Sequence, residues 1–210
     1  MNRIYIFAFV LLVVAGCTQQ KSKPDLETII DKTKLQEGDL VFRLGRGTSS
    51  QIVNLADKER SYSHIGFLLK DSVGEWVVIH AVPGESNETE GREIIKCDPL
   101  LHFFGSDRTV TGIVVRFDSI EPILQQVVDK AKELHSRELL FDHNYSLSDT
   151  TEMYCTELIY YIFLSAGVDL SEGRRHSFPL IKEKIIFPSD ILRNKALREV
   201  LEVKFSKKKD

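Results

Sequence analysis

Residues 155–166 constrain the fold most. Leu158, Ile159, Ile162, Phe163 and Ala166 recur at helical spacing, and Gly167 stops the pattern. A helix this apolar must be covered by other elements. Strand candidates lie upstream at 40–44, 64–70, 75–82, 92–96 and 109–117, the last with Ile113, Val115 and Phe117 alternating against Val114 and Arg116. Short helices are expected near 25–33, from 49 or 50 to 58, and near 189–196. A longer one is expected over 121–136, with Ile123, Leu124, Val127, Val128, Ala131 and Leu134 as its apolar face. Helix, strands, helix, helix is the order of an α+β fold: a mostly antiparallel sheet, or partial barrel, packed against helices.

The length, 210 residues, suits one domain, and 42% hydrophobic with 28% charged residues describes an ordinary globular chain. A net charge of −3 gives no footprint for nucleic acid. The only dense basic run, Lys207-Lys208-Lys209, reads as a solvated tail. Gly45-Arg46-Gly47 lacks the rest of either nucleotide-binding fingerprint.

The N-terminus reads as a processing signal. Arg3 supplies positive charge, and residues 4–14 are all apolar, well short of the ~20 residues that span a bilayer. The run ends in Val14-Ala15-Gly16-Cys17, which resembles a bacterial lipobox. The resemblance implies cleavage before Cys17 and its diacylation, hence a lipid-anchored envelope protein, periplasmic or on an outer membrane. An ordinary secretory signal with an incidental cysteine is the alternative. The expected organisation is signal 1–16, lipidated Cys17 and tether 17–34, catalytic domain 35–200 and tail 201–210.

That leaves Cys97 and Cys155 of the three cysteines. In an exported protein the two could form a disulfide. Cys155, however, opens the apolar helix. Free N–H groups and partial positive charge at a helix N-terminus stabilise a thiolate, so the spacing predicts a lowered thiol pKa and donors for an oxyanion. The other reading is a small core hydrophobe.

A thiol nucleophile needs an imidazole. Of six histidines, His64 and His80 stand out. A turn over 70–74 pairs Leu69 with Glu75 and sets His64 directly opposite His80, with Cβ atoms ~4.5–5.5 Å apart. A slip of two residues would leave the pair diagonal on one face; a slip of one would separate it. One ring then serves as base and the other orients it. A metal pair is the rival reading, but no further ligands stand at telling spacing. His102, His135, His143 and His176 are expected at the surface. Glu157, in the first turn of the helix, reads as a dipole-stabilising residue, and Tyr62 and Tyr154 flank the presumed site.

Three motifs now come in order: Gly38-Asp39-Leu40-Val41-Phe42, Ser63-His64-Ile65-Gly66-Phe67 and Tyr154-Cys155-Thr156-Glu157-Leu158-Ile159. Together they resemble the permuted branch of the NlpC-type papain-like cysteine peptidases, and more narrowly the YiiX-like enzymes. Phe141-Asp142 and Phe187-Pro188-Ser189-Asp190 are also similar to that group. The resemblance spans residues 36–192. It implies a permuted papain-like fold with Cys155 as nucleophile, His64 as base and His80 in third place, where many YiiX-like members carry Glu; Glu85 is the fallback. It also implies a cysteine hydrolase without metal or cofactor, acting on cell-wall peptide amides or another small amide or ester. A lipid or thioester acyl group is the alternative substrate, and a non-catalytic envelope binding protein the alternative role.

Overall fold

Alternating side chains give the sheet two unlike faces. The computed structural model describes residues 26–59, 61–84, 92–178 and 181–207. Its strands are β1 (Leu26–Ile29), β2 (Leu40–Gly45), β3 (His64–Lys70), β4 (Trp76–His80), β5 (Lys96–Pro99), β6 (Thr109–Phe117) and β7 (Leu197–Lys207). They form one curled antiparallel half-barrel in the order β1-β7-β6-β2-β3-β4-β5. The helices are α1 (Thr48–Ala56), α2 (Leu100–Phe103), α3 (Leu124–Ser136), α4 (Cys155–Leu164) and α5 (Pro188–Leu192). The fold class is α+β, as expected.

On one face, Leu40, Phe42, Ile65, Phe67, Val77 and Ile79 meet Val127, Ala131 and Leu134 of α3 and Leu158, Ile159 and Ile162 of α4. The period-2 partners Val41, Leu68 and Val78 point the other way, onto a smaller core with Phe103 and Phe104. His64 shares the parity of Leu68, and His80 that of Val78. Both histidines therefore belong to the Phe103 face, while α4 lies on the opposite one.

The central hairpin differs in register from the expectation. Asp71 Oδ1 accepts from the N–H groups of Val73 (2.9 Å) and Glu75 (2.8 Å), and the Asp71 N–H donates to the Glu75 carbonyl (2.9 Å). Gly74 supplies the left-handed residue, φ +86°. The loop is thus 71–75, and Lys70 faces Trp76. His64 and His80 lie diagonally rather than directly opposed, and stay on one face.

Four other expectations change. Residues 25–33 hold no α-helix: Leu26–Ile29 is an edge strand and Lys32–Lys34 a single 3₁₀ turn capped by Asp31. Residues 201–207, assigned to a tail, continue β7, which pairs β6 on one side and β1 on the other. The alternation of Leu201, Val203 and Phe205 with Glu202 and Lys204 is the strand signal the lysines obscured. The last helix ends at Leu192, because the Asn194 side chain accepts the Ala196 N–H and turns the chain into β7. The strand expected at 92–96 starts at Lys96 instead. Residues 1–25, Cys17 among them, and Glu85 lie outside the described residues.

Candidate active site

The site forms where the start of α4 meets the start of β3. Two bonds fix the helix start to the segment before α5: Thr156 Oγ1 donates to the Ile186 carbonyl (2.7 Å), and the Ile186 N–H donates to the Tyr154 hydroxyl (3.2 Å). Glu157 Oε2 accepts the Tyr154 N–H (3.2 Å). Glu157 is fully buried and its second carboxyl oxygen has no partner among the described residues. Burial, reinforced by Asp142, Asp149 and Glu183, pushes its pKa up to about 9 despite the Tyr154 N–H. Glu157 is therefore a neutral acid at pH 7, not the charged dipole partner expected from sequence.

Cys155 keeps partial solvent access and is in no disulfide; Cys97 is free and exposed. Burial of the sulfur pushes the Cys155 thiol up to about 11, against the pull of the Ile65, Thr156 and Cys155 N–H groups and the Arg43 charge. This reverses the expected lowering. The helix terminus lies among protein atoms, and desolvation of a thiolate there outweighs the N–H groups. Alkylation of Cys155 by iodoacetamide, followed peptide by peptide by mass spectrometry, should keep accelerating through pH 9. A plateau below pH 8 would instead signal a preformed thiolate.

His64 and His80 come together as a hydrogen-bonded pair, Nε2 to Nδ1 at 2.9 Å. Gly66 makes this possible. A Cβ at that position would lie 2.3 Å from Val78 Cγ1 and 3.3 Å from His80 Cβ, so only glycine leaves the inter-strand space open. Both rings rest on Phe103, with centroids at 5.5 and 5.1 Å. The buried Arg43, opposite His64 on β2, lies over the same ring at 4.6 Å and donates to the Phe103 carbonyl (2.7 Å). Burial, then the Arg43 charge and the adjoining His80 ring, hold the His64 pKa well below the ordinary histidine range. The resting pair is thus thiol and neutral imidazole.

Cys155 and His64 line one small cavity of about 40 Å³, with Ser63, Ala81, Val82 and Tyr145 in its wall. The hydrogen bonds described for the two rings run to each other and to Asp98, not to the sulfur. The space suffices for a water between sulfur and imidazole. A larger cleft of about 580 Å³ adjoins it through Ser49, Ser50, Val82 and Pro83, and adds Arg43, Arg46 and Arg108 to the lining.

Sequence reasoning missed three neighbours. Asp98 on β5 contacts His80 Nε2 at 3.1 Å; with the strand placed at 92–96 it had no assigned face. Arg43 read only as part of a strand. Tyr145 lines the cavity from a loop at φ +56°, held by Asp142, whose carboxylate accepts the Asn144 and Ser146 N–H groups. Of the flanking tyrosines, Tyr154 lines the cavity while its hydroxyl accepts the Ile186 N–H, and Tyr62 packs on Phe42 at 5.9 Å. Among the remaining histidines, His102 and His143 are exposed, while His135 and His176 are half-buried.

No family model matches the chain, and no curated protein does. Among solved structures it is similar to the crystal structure of metalloprotein yiiX from Escherichia coli O157:H7, at 20% identity and a TM-score of 0.64 over 80% of this chain and 98% of that one. The chain therefore has the YiiX-like, papain-like fold. The neighbour's description raises the question of a metal. Among the described residues, no three His, Cys, Asp or Glu side chains converge as a metal site would require. His64 and His80 turn their facing nitrogens on each other, and His80 commits its second to Asp98. These residues do not fit a metal ion.

Proposed function

We propose that this protein is a cysteine hydrolase that cleaves an amide, in a cell-wall peptide or an aminoacyl amide, through an acyl-enzyme on Cys155. The observation that carries the reading is one cavity lined by both Cys155 and a neutral His64 whose Nε2 is already held by His80. The nitrogen left to His64 is Nδ1. It takes the thiol proton, directly or through one water, as sulfur attacks the substrate carbonyl. N–H groups at the start of α4 are donors for the tetrahedral oxyanion. The imidazolium then gives its proton to the leaving amine, and a thioester remains. Water, deprotonated by His64, attacks the thioester and releases the acid and the thiol.

The cleft beside the cavity carries charged groups of both signs, Arg43, Arg46 and Arg108 with Glu93 and Asp107, and these suit a peptide better than a lipid chain. Tyr160, Tyr161 and Phe163, which would have supplied an apolar acyl groove, do not line it. Phe163 is core, and Tyr161 donates to the Leu147 carbonyl. The resemblance of Val14-Ala15-Gly16-Cys17 to a lipobox supports attachment to a membrane of the cell envelope.

Incubation with defined cell-wall peptides and, in parallel, with acylglycerols tests this reading. Acid quench and peptide mass mapping are expected to place the acyl mass on the peptide containing Cys155, with amine released from the amides. Adducts only from acylglycerols would assign the lipid alternative; neither adduct nor product from either class would leave a binding protein.

A further inference from the structure

We infer that Asp98 is a positioning residue: its carboxylate, acting through His80, sets the tautomer of His64 and leaves Nδ1 of His64 as the basic nitrogen. The inference rests on the proposed role of His64 as base for Cys155.

Three strands carry the chain of contacts. His64 opens β3, His80 closes β4, and Asp98 lies on β5, where Lys96 is directly opposite His80 and Asp98 opposite Val78. Each step is therefore diagonal on the same face. The two bonds are Nε2 to Nδ1 at 2.9 Å and His80 Nε2 to Asp98 Oδ2 at 3.1 Å. Asp98 is mostly buried, with 17% of its side chain exposed. Burial alone would raise its pKa; the bond from His80 and the neighbouring His102 and Lys96 bring it below the usual value.

The logic is one of donors and acceptors. An ionised carboxylate only accepts. His80 must then carry its proton on Nε2, and in the neutral ring Nδ1 keeps a lone pair. A lone pair at His80 Nδ1 requires a proton on His64 Nε2. The neutral His64 therefore has its lone pair on Nδ1. With the carboxylate removed, the order can reverse, and a proton on Nδ1 would make His64 useless as a base. His102 Nε2 lies 3.7 Å from Asp98 but takes its bond from Arg108 at 2.9 Å, so it is the control site.

Long-range ¹H–¹⁵N spectra of the histidine side chains in the full chain test the inference without a substrate. The expected result is Nε2–H for both His64 and His80 in the wild type and in His102→Gln. Asp98→Asn should bring a second population with Nδ1–H on His64. It should also slow iodoacetamide alkylation of Cys155 at pH 7 by about tenfold or more, short of the ~10⁴-fold cost of a wrong tautomer in a serine triad. Asp98→Glu should recover part of the loss. A wild-type His64 carrying its proton on Nδ1 overturns the inference whatever the variants do. So does Asp98→Asn with unchanged tautomers and unchanged alkylation. If His64→Gln leaves alkylation unaffected, the cysteine–histidine reading has failed, and the spectra still judge the tautomer relay separately.

Discussion

Replacing Cys155 with alanine is expected to bring amide hydrolysis down to background, a loss of at least about 10⁴-fold, while the folded state is kept. The sulfur lies in the wall of a cavity at the margin of the larger core, so its removal leaves Leu158, Ile159 and Ile162 in place beneath the helix. Thermal melting should shift by no more than a few degrees. His64→Gln keeps a polar side chain beside His80 and should cost about 10²–10⁴-fold, the usual worth of a general base. The double variant should be little worse than Cys155→Ala, because the two groups act in one step. Steady-state hydrolysis of a peptide amide, paired with circular dichroism, measures all of these. Full activity in a folded Cys155→Ala protein would falsify the mechanism.

The second large effect concerns stability. Glu157 has an ordinary carboxyl pKa of 4.5 when unfolded and about 9 when folded. Between these values the folded protein holds a proton that the unfolded chain releases. Stability therefore falls as pH rises through that window, and levels off once the folded carboxyl also ionises. At pH 7 the contribution is on the order of 3 kcal/mol, from ~1.4 kcal/mol for each pH unit above the unfolded pKa. Glu157→Gln carries no charge and can still accept the Tyr154 N–H. Its denaturation midpoint should depend less on pH than the wild type's, and the gap between the two should widen from pH 5 to pH 9. Parallel slopes across that range would show that Glu157 ionises normally in the folded protein.

Much of this site was legible because it sits in regular elements. Apolar periodicity placed α4 and its first residue within a turn. Period-2 counting put His64 and His80 on one face even though the register was off by two, since a two-residue slip preserves parity. What stayed hidden depends on tertiary surroundings. A helix terminus lowers a thiol pKa only when the surrounding atoms do not desolvate it more strongly, and the burial of Cys155 and Glu157 is not written in local spacing. Asp98 was lost through a misplaced strand, and Arg43 because a strand arginine gives no hint of the phenylalanine ring beneath it. Nor did local pattern predict that Leu26–Ile29 becomes a strand, because its partner lies at the opposite end of the chain.

That pairing has a consequence for biosynthesis. β7 fills the gap between β1 and β6, and it is the last of the described strands to be made. Until synthesis reaches Lys207, the nascent sheet exposes one edge on β6 and leaves β1 without its partner, and such edges invite pairing with other chains. A contact of such long sequence separation also forms slowly, because loop closure must precede its stabilisation. Leu197–Lys207 is thus the closing piece of the sheet. A chain cut after α5 would emerge with the site's helices and strands complete and still be prone to associate through the open edge of β6.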